Sequence, residues 1–449
     1  MFFAYVSYTL IQTRMILMKK TLLRSTFLLL LVSVIAKILS FLVRILLART
    51  LSESAMNYYT LASPTMVIMI TLAQMGIPGA LSKVIAQSKD TRKPLLASIL
   101  VSMINNIVII AAFFILLPFL SFYILKQREI LPVLYAILPL IPLVSISGIL
   151  KGYLFGKQQH VQATACQLFE EGSRILFLLV MFSMDHSLTN VTMAKIAMYS
   201  ISVGELCSSL YMLFALRQHK HDIRQLPTLF HTLHRQQFDE VLSISIPMTG
   251  SRLIGSFTYF LEPIVMVIGL SALQSDTMIH AYGQLNGYVL PIITMPSFLT
   301  ITLSNFLLPS FTYHYARGHE ATARHQFSFI LASCFIVGAI CSFLCYFFNE
   351  ELLLLFYHNT RGALLLKQLA IPFALYSLQP PLSSMLHAMS LSKKTVYDTF
   401  AGSFTRLCCV AFLSHILFAD ALSIAISAGM LVTTCLHAIR LWFAFTKNK

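Results

Sequence analysis

The chain is poor in acid and poor in charge of any kind. Aspartate and glutamate together number 17 in 449 residues, and charged side chains make up 11%. A soluble domain carries about a quarter charged residues, so a surface solvated all round by water is excluded. The eight cysteines all fall in apolar runs, without CxxC and without metal-like spacing to histidine. They read as small buried hydrophobes, which excludes a disulfide framework and a zinc site. There is no Walker A loop, no nucleophile beside a base and no metal cluster, so enzyme chemistry has no support and no cofactor is expected. A cleavable signal peptide is also lacking. The first apolar run after Lys19, Lys20 and Arg24 is too long and has no small-residue cleavage pattern.

What the chain does have is apolar length. It is 57% hydrophobic, with a mean hydropathy of +0.77. Only an all-α polytopic membrane protein fits. A formal net charge of +15 raises nucleic acid as a partner, but the positions of the charges exclude it. They sit in short loops between apolar runs.

A bilayer-spanning helix needs about 20 apolar residues, and by that measure about twelve spans are expected. Six lie in the first half, at 22–48, 57–82, 94–122, 130–154, 161–184 and 192–216. Six more lie at 240–269, 280–312, 326–348, 363–391, 396–418 and 421–445. Residues 1–18 form an N-terminal extension, and Met15 or Met18 would be a natural start before Lys19. Two six-helix lobes, 19–217 and 238–449, are joined by a basic linker at 218–237. Lys and Arg are concentrated in alternate loops, so both termini and the linker are expected to be cytoplasmic.

The halves read as a parallel repeat. Pro64 and Pro78 bracket span two, and Pro296 and Pro309 bracket span eight at nearly the same spacing. The first span of each half holds buried cations: Lys37 and Arg44, then Arg252. The fifth span of each half holds one arginine, Arg174 and then Arg406. Such repeats bind substrate between the halves and alternate access by rocking them.

The seventh span, Val241 to Gly269, organises the chain. It carries Arg252 and Glu262 well inside an apolar run, and Ser245, Arg252, Gly255, Tyr259 and Glu262 share one helical face. A charge in hydrocarbon is accepted mainly where the face lines a wet cavity or meets a partner. The two residues either lock neighbouring helices together or serve a substrate, with Arg252 on a phosphate and Glu262 balancing that charge. On span one, Ser33, Lys37, Ser40 and Arg44 form one cationic stripe. On span five, Glu170 and Arg174 stand four apart and can pair. Glu205 on span six either neutralises Arg174 or Arg406 or joins a polar face with Ser202 and Ser209. Asn105 and Asn106 are expected to make interhelical hydrogen bonds. The first spans of the two halves keep three cations against one acid, and a cavity lined by Arg and Lys suits an anionic, phosphate-bearing substrate.

The segments SIPMTGSRLIGSFTYFLEPIVMVI (Ser245–Ile268) and YGQLNGYVLPIITMPSFLTITLSNFLLPS (Tyr282–Ser310) resemble the seventh and eighth helices of the stage V sporulation protein B group. LKGYLFGKQQ (Leu150–Gln159), QLFEEGSRI (Gln167–Ile175), QMGIPGALSKVIAQ (Gln74–Gln87) and AKILSFLVRILLAR (Ala36–Arg49) are similar to its other segments, in order. The group belongs to the multidrug/oligosaccharidyl-lipid/polysaccharide exporter superfamily. The resemblance implies two six-helix lobes forming a V around a cationic cavity, in a multi-pass protein of the bacterial cytoplasmic membrane. It implies an alternating-access flippase for an undecaprenyl-pyrophosphate-linked saccharide such as a peptidoglycan precursor, driven by a coupling ion or the membrane potential and acting as a monomer. By motif, Arg44, Arg174, Arg252 and Glu262 match the group's pattern, Lys37 stands where Arg is usual, and Gln284 stands where Glu is frequent. Longer relatives add two helices after the twelfth. An organic-cation antiporter on the same fold is the second expectation, and a non-transporting assembly scaffold the third.

Overall fold

In the first half of the chain, apolar length becomes helix with few surprises. The structure is a computed structural model that describes residues 28–88, 90–184, 187–219, 233–268, 270–316, 320–389 and 391–447. The extension 1–18, the cations Lys19, Lys20 and Arg24, and most of the linker lie outside them. Described residues before the linker form α1 (Leu28–Thr50), α2 (Glu53–Gln74), α3 (Ile77–Gln87), α4 (Arg92–Phe119), α5 (Leu131–Tyr135), α6 (Leu140–Gly156), α7 (His160–Met184) and α8 (Asn190–Ala215). After it come α9 (Arg235–Val267), α10 (Ala272–Gln284), α11 (Leu290–Thr294), α12 (Ser297–Ala316), α13 (Glu320–Phe347), α14 (Asn349–Tyr357), α15 (Ala363–Tyr376), α16 (Gln379–Ala388), α17 (Ser392–Leu417) and α18 (Ala419–Lys447). No strand occurs among the described residues.

Helix stands at each of the twelve expected span positions. Eight of these helices, or nine with one bent pair, are long and apolar enough to cross a membrane by length and composition, among the described residues. The others have a physical reason to fall short. Helix α7 carries Glu170, Glu171 and Arg174, and α9 carries Arg252 and Glu262. Span ten is divided into the short helices α15 and α16. The surface confirms the solvent. On α4, Met103, Ile104, Ile107, Val108 and Ile115 are each at least 60% exposed, a stripe that only hydrocarbon would solvate favourably.

Spans two and eight are both broken, and not at equivalent prolines. In span two the chain leaves the helix at Met75 and Gly76, both at positive φ, just before Pro78. Gly76 lies so close to α9 that an added Cβ would stand 2.6 Å from the Ser245 carbonyl oxygen, so this position requires glycine. The break frees carbonyls in an apolar setting, where each needs a donor. Asn105 Nδ2 donates to Leu72 O at 2.9 Å, and Ser145 Oγ donates to Ala73 O at 2.9 Å. Ser145 also donates to Asn106 Oδ1 at 2.8 Å, so both asparagines hold helices together as expected. Span eight breaks instead at its first proline. A π-helical turn, Leu285–Val289, leads to α11, and α12 leaves at 48° beyond Pro296. Pro309 remains inside α12. The matched proline spacing therefore does not mark matched breaks.

The packing order repeats nonetheless. Helix α3 packs on α6 as α12 packs on α16, α7 on α8 as α17 on α18, and α6 on α8 as α16 on α18. The halves meet chiefly where α9 lies along α2 and α3 and where α10 meets α2.

Candidate substrate cavity

Helix α1 is apolar except for its stripe and its end at Arg49 and Thr50, and the structure gives that stripe a use. Lys37, Ser40 and Arg44 line a cavity of about 220 Å³ whose opposite wall is the broken span, Pro291 to Ile301. No carboxylate stands in its lining. Both cations are exposed, and neither has a hydrogen bond or ion pair among the described residues. Ser33, the fourth member of the stripe, is half-buried outside this lining. The break at Met295 and Pro296 opens the wall, because a continuous helix would present only side chains there.

Arg252 is also exposed. Its one described contact is a long 3.4 Å hydrogen bond from Nη1 to Gln74 Oε1, at the end of α2. It does not pair with Glu262. Glu262 is fully buried and belongs to Arg406: Nη2 lies 2.6 Å from each carboxylate oxygen, and Nε lies 3.2 Å from Oε1. The ion pair ties α9 to α17. The sequence-based role of Glu262 as a counter-charge for Arg252 is thereby corrected. Two turns or more separate the residues along one helix, whereas α17 brings a guanidinium into direct contact.

Span five needs a similar correction. Arg174 pairs with Glu171, three residues away, at 2.9 Å rather than with Glu170. Glu170 instead faces Lys151 of α6 at 3.6 Å. The reason is steric: Gly204 of α8 lets the Arg174 stem lie against it, with an added Cβ 2.8 Å from Arg174 Cγ. Glu205 is 8% exposed, and its Oε2 has no hydrogen-bond partner. Of its two expected roles, an ion pair with Arg174 or Arg406 is not formed among the described residues; it is buried as Ser202 and Ser209 are, in the field of Lys151, Glu170 and Arg174. Lys151 stands in the last turns of α6 and is half-buried, so it belongs to the interior. Gln284 is half-buried beside Gly362, away from the α1 stripe.

At the α1–α2 end of the bundle, polar contacts clasp the two halves together. Arg49 Nε donates to Phe356 O at 2.7 Å and its Nη2 to Leu355 O at 3.0 Å. Glu53 stands 3.4 Å from both His280 and Arg361. Asn57 Nδ2 lies 2.9 Å from His280 Nδ1, and Gln127 Nε2 donates to Asp276 Oδ1 at 3.0 Å. Sequence reading missed these residues because each looks like an ordinary loop polar group.

The profile of the family described as polysaccharide biosynthesis protein matches residues 22–314. The chain belongs to this family. Stage V sporulation protein B of Bacillus subtilis (strain 168) is 29% identical over 432 residues, covering 94% of this chain and 83% of that protein. The inward closed conformation of the lipid II flippase MurJ superposes with a TM-score of 0.71 at 11% identity, over 92% of this chain and 87% of that one. An inward-facing multidrug resistance MATE transporter of the MOP superfamily also gives 0.71, at 15% identity, over 92% and 96%. These structures share the fold. The family's members are transporters rather than catalysts, and this one is a multi-pass protein of the bacterial cell membrane.

Proposed function

We propose that the protein is an alternating-access flippase for an undecaprenyl-pyrophosphate-linked saccharide, with a peptidoglycan precursor such as lipid II the leading substrate. One observation carries the reading: Lys37 and Arg44 line the cavity between α1 and the broken span without a carboxylate in its wall. Unpaired cations facing a cavity attract a pyrophosphate, and a guanidinium can grip it through two parallel hydrogen bonds. The same wall repels an organic cation, which disfavours the antiporter reading despite the shared fold. Arg252, held only by its long contact to Gln74, is free to swing toward the anion. Residues 19–217 and 238–449 act as the two moving lobes, with the clasp around Glu53, His280 and Arg361 closing one end. The basic linker 218–237 is cytoplasmic, which makes the clasped end the outer one. A coupling ion or the membrane potential drives the cycle.

The deciding experiment measures lipid II exposure at the outer leaflet and ethidium efflux in the same cells, with and without the protein. Loss of exposure on depletion, with negligible dye efflux, supports the flippase. Robust efflux by the parent protein with unchanged lipid II exposure would sink it. For the topology, a cysteine at Gln225 is expected to react only with membrane-permeant reagents; labelling from outside intact cells would reverse the orientation.

A further inference from the structure

Behind the α1 pocket, α12, α15, α16, α17 and α18 enclose a second cavity of about 430 Å³. Its size is that of a small-molecule site, about 300–1,000 Å³. Ile301 lines both cavities, so one exposed aliphatic side chain separates them. The wall of the second is rich in hydroxyls and again holds no carboxylate.

The hydroxyls divide in an informative way. Serine and threonine in a helix usually donate back to their own helix, and Ser304, Thr399 and Thr433 do so, to Thr300, Thr395 and Gly429. Ser383, Ser384 and Ser403 have no hydrogen bond among the described residues, although all three line the cavity. His437, also in the lining, is 3% exposed, and neither ring nitrogen is hydrogen-bonded. Its nearest acidic oxygen, Asp398 Oδ2, is 3.9 Å away and already takes the Arg440 Nε–H at 2.8 Å. The Gln379 amide nitrogen is spent on Met430 O and Thr434 Oγ1, both at 3.0 Å, leaving its carbonyl oxygen to accept. The three serines are half-buried, but His437 is buried, and a buried polar group without a partner is rare and costly unless something else supplies the bonds. Here donors and acceptors alternate around a space whose charged lining group, the Arg406 guanidinium, is already held by Glu262, with the Tyr376 ring on one side. That pattern fits a ligand whose own groups both donate and accept, and it excludes a cation, which would need acids.

We propose that this cavity is a saccharide subsite: it takes one or two sugar rings of the lipid-linked headgroup while the pyrophosphate rests on Lys37 and Arg44 beyond Ile301. The inference rests on the lipid-linked reading above. It adds that headgroup recognition belongs to the second half of the chain, through Ser383, Ser403 and His437.

The test uses the full chain in nanodiscs and three probes: farnesyl pyrophosphate, the same lipid carrying an N-acetylglucosaminyl disaccharide, and the free disaccharide. The glycosylated probe is expected to bind about tenfold more tightly than the bare one, the worth of one or two net hydrogen bonds. Ser403→Leu or Ser383→Leu, which fill the cavity from different helices, should erase that tenfold while leaving the bare probe unchanged; retained binding of the bare probe certifies folding. Ser403→Thr should keep the preference, and Arg44→Ala should weaken both lipid probes. Equal binding of the two lipid probes by the parent, or a Leu variant that keeps the sugar preference, overturns the subsite alone. No binding of either lipid probe overturns the lipid-linked reading and the subsite with it. Free disaccharide bound as tightly as the glycosylated lipid, whether or not Arg44 is present, would remove the site from the path of a lipid-linked substrate.

Discussion

Two arginines that each lie inside an apolar run have opposite situations in the fold. Arg406, on α17, is locked to a carboxylate that is fully buried, with oxygens 2.6 Å away. Arg44, on α1, looks into a cavity with no acid in its wall. Both are cations inside apolar spans. The contrast teaches that a charge within the membrane is not itself a site. A paired charge joins helices, since removing either member strands the other in a medium that cannot solvate it. An unpaired charge beside a cavity has electrostatic capacity left over for a ligand.

The comparison can be broken most sharply at the pair. Arg406→Ala leaves the fully buried Glu262 unpaired, a loss of about 3–5 kcal/mol. Little folded protein is expected, read by thermal unfolding in detergent. The double variant Glu262→Leu with Arg406→Leu should recover most of that stability, because two apolar groups need no partners. Failure of the double variant to recover, with normal folding of the single, would mean that the pair is not what holds α9 to α17.

At the unpaired cations the expected effects move from stability to transport. Arg44→Glu should abolish lipid II exposure while leaving the unfolding temperature within the range of ordinary surface changes, about 0.5 kcal/mol. An active Arg44→Glu protein would contradict the anionic-substrate reading. Arg252→Ala should likewise stop flipping with insertion intact, and Arg252→Lys should retain part of it, since the charge persists but the planar fork is lost. Lys37→Ala is expected to weaken substrate binding less than Arg44→Ala, because an ammonium is a point charge; the reverse order in a binding titration would place the pyrophosphate nearer Lys37. The smallest effect belongs to the clasp. Arg361→Ala removes one part-exposed partner of Glu53, worth about 1 kcal/mol or less. It should change the rate of opening measured by cross-linking across the α2–α10 gap, without loss of folding.

Much of this was legible because a bilayer imposes simple rules. Twelve stretches of apolar length appeared as helix at their expected positions, and the stripe Lys37, Ser40, Arg44 faced a cavity because i, i+3 and i+4 residues must share a face. Asn105 and Asn106 bridged helices as expected of amides in an apolar setting. Partner choice was not legible. Glu170 met Lys151 and Glu171 met Arg174, since the close approach of α7 to Gly204 decided which way each side chain ran. Nor was it legible which prolines break a helix: Pro78 and Pro296 stand at breaks, whereas Pro64 lies inside α2 and Pro309 inside α12. A kink depends on whether neighbouring donors, such as Asn105 and Ser145, take up the freed carbonyls.

Composition and periodicity alone determined that the chain crosses a membrane as helices, and that the first spans of the two halves together hold more cations than acids. Those properties depend only on residue type and on spacing along one helix. Only the tertiary structure decided which charges cancel. It placed Arg406 against Glu262 across 144 residues of chain, left Lys37 and Arg44 facing a bent helix, and set a hydroxyl-lined cavity without carboxylates next to them. Coulomb energy and hydrogen bonding act over a few ångströms, and distances of that kind between different helices are fixed by packing.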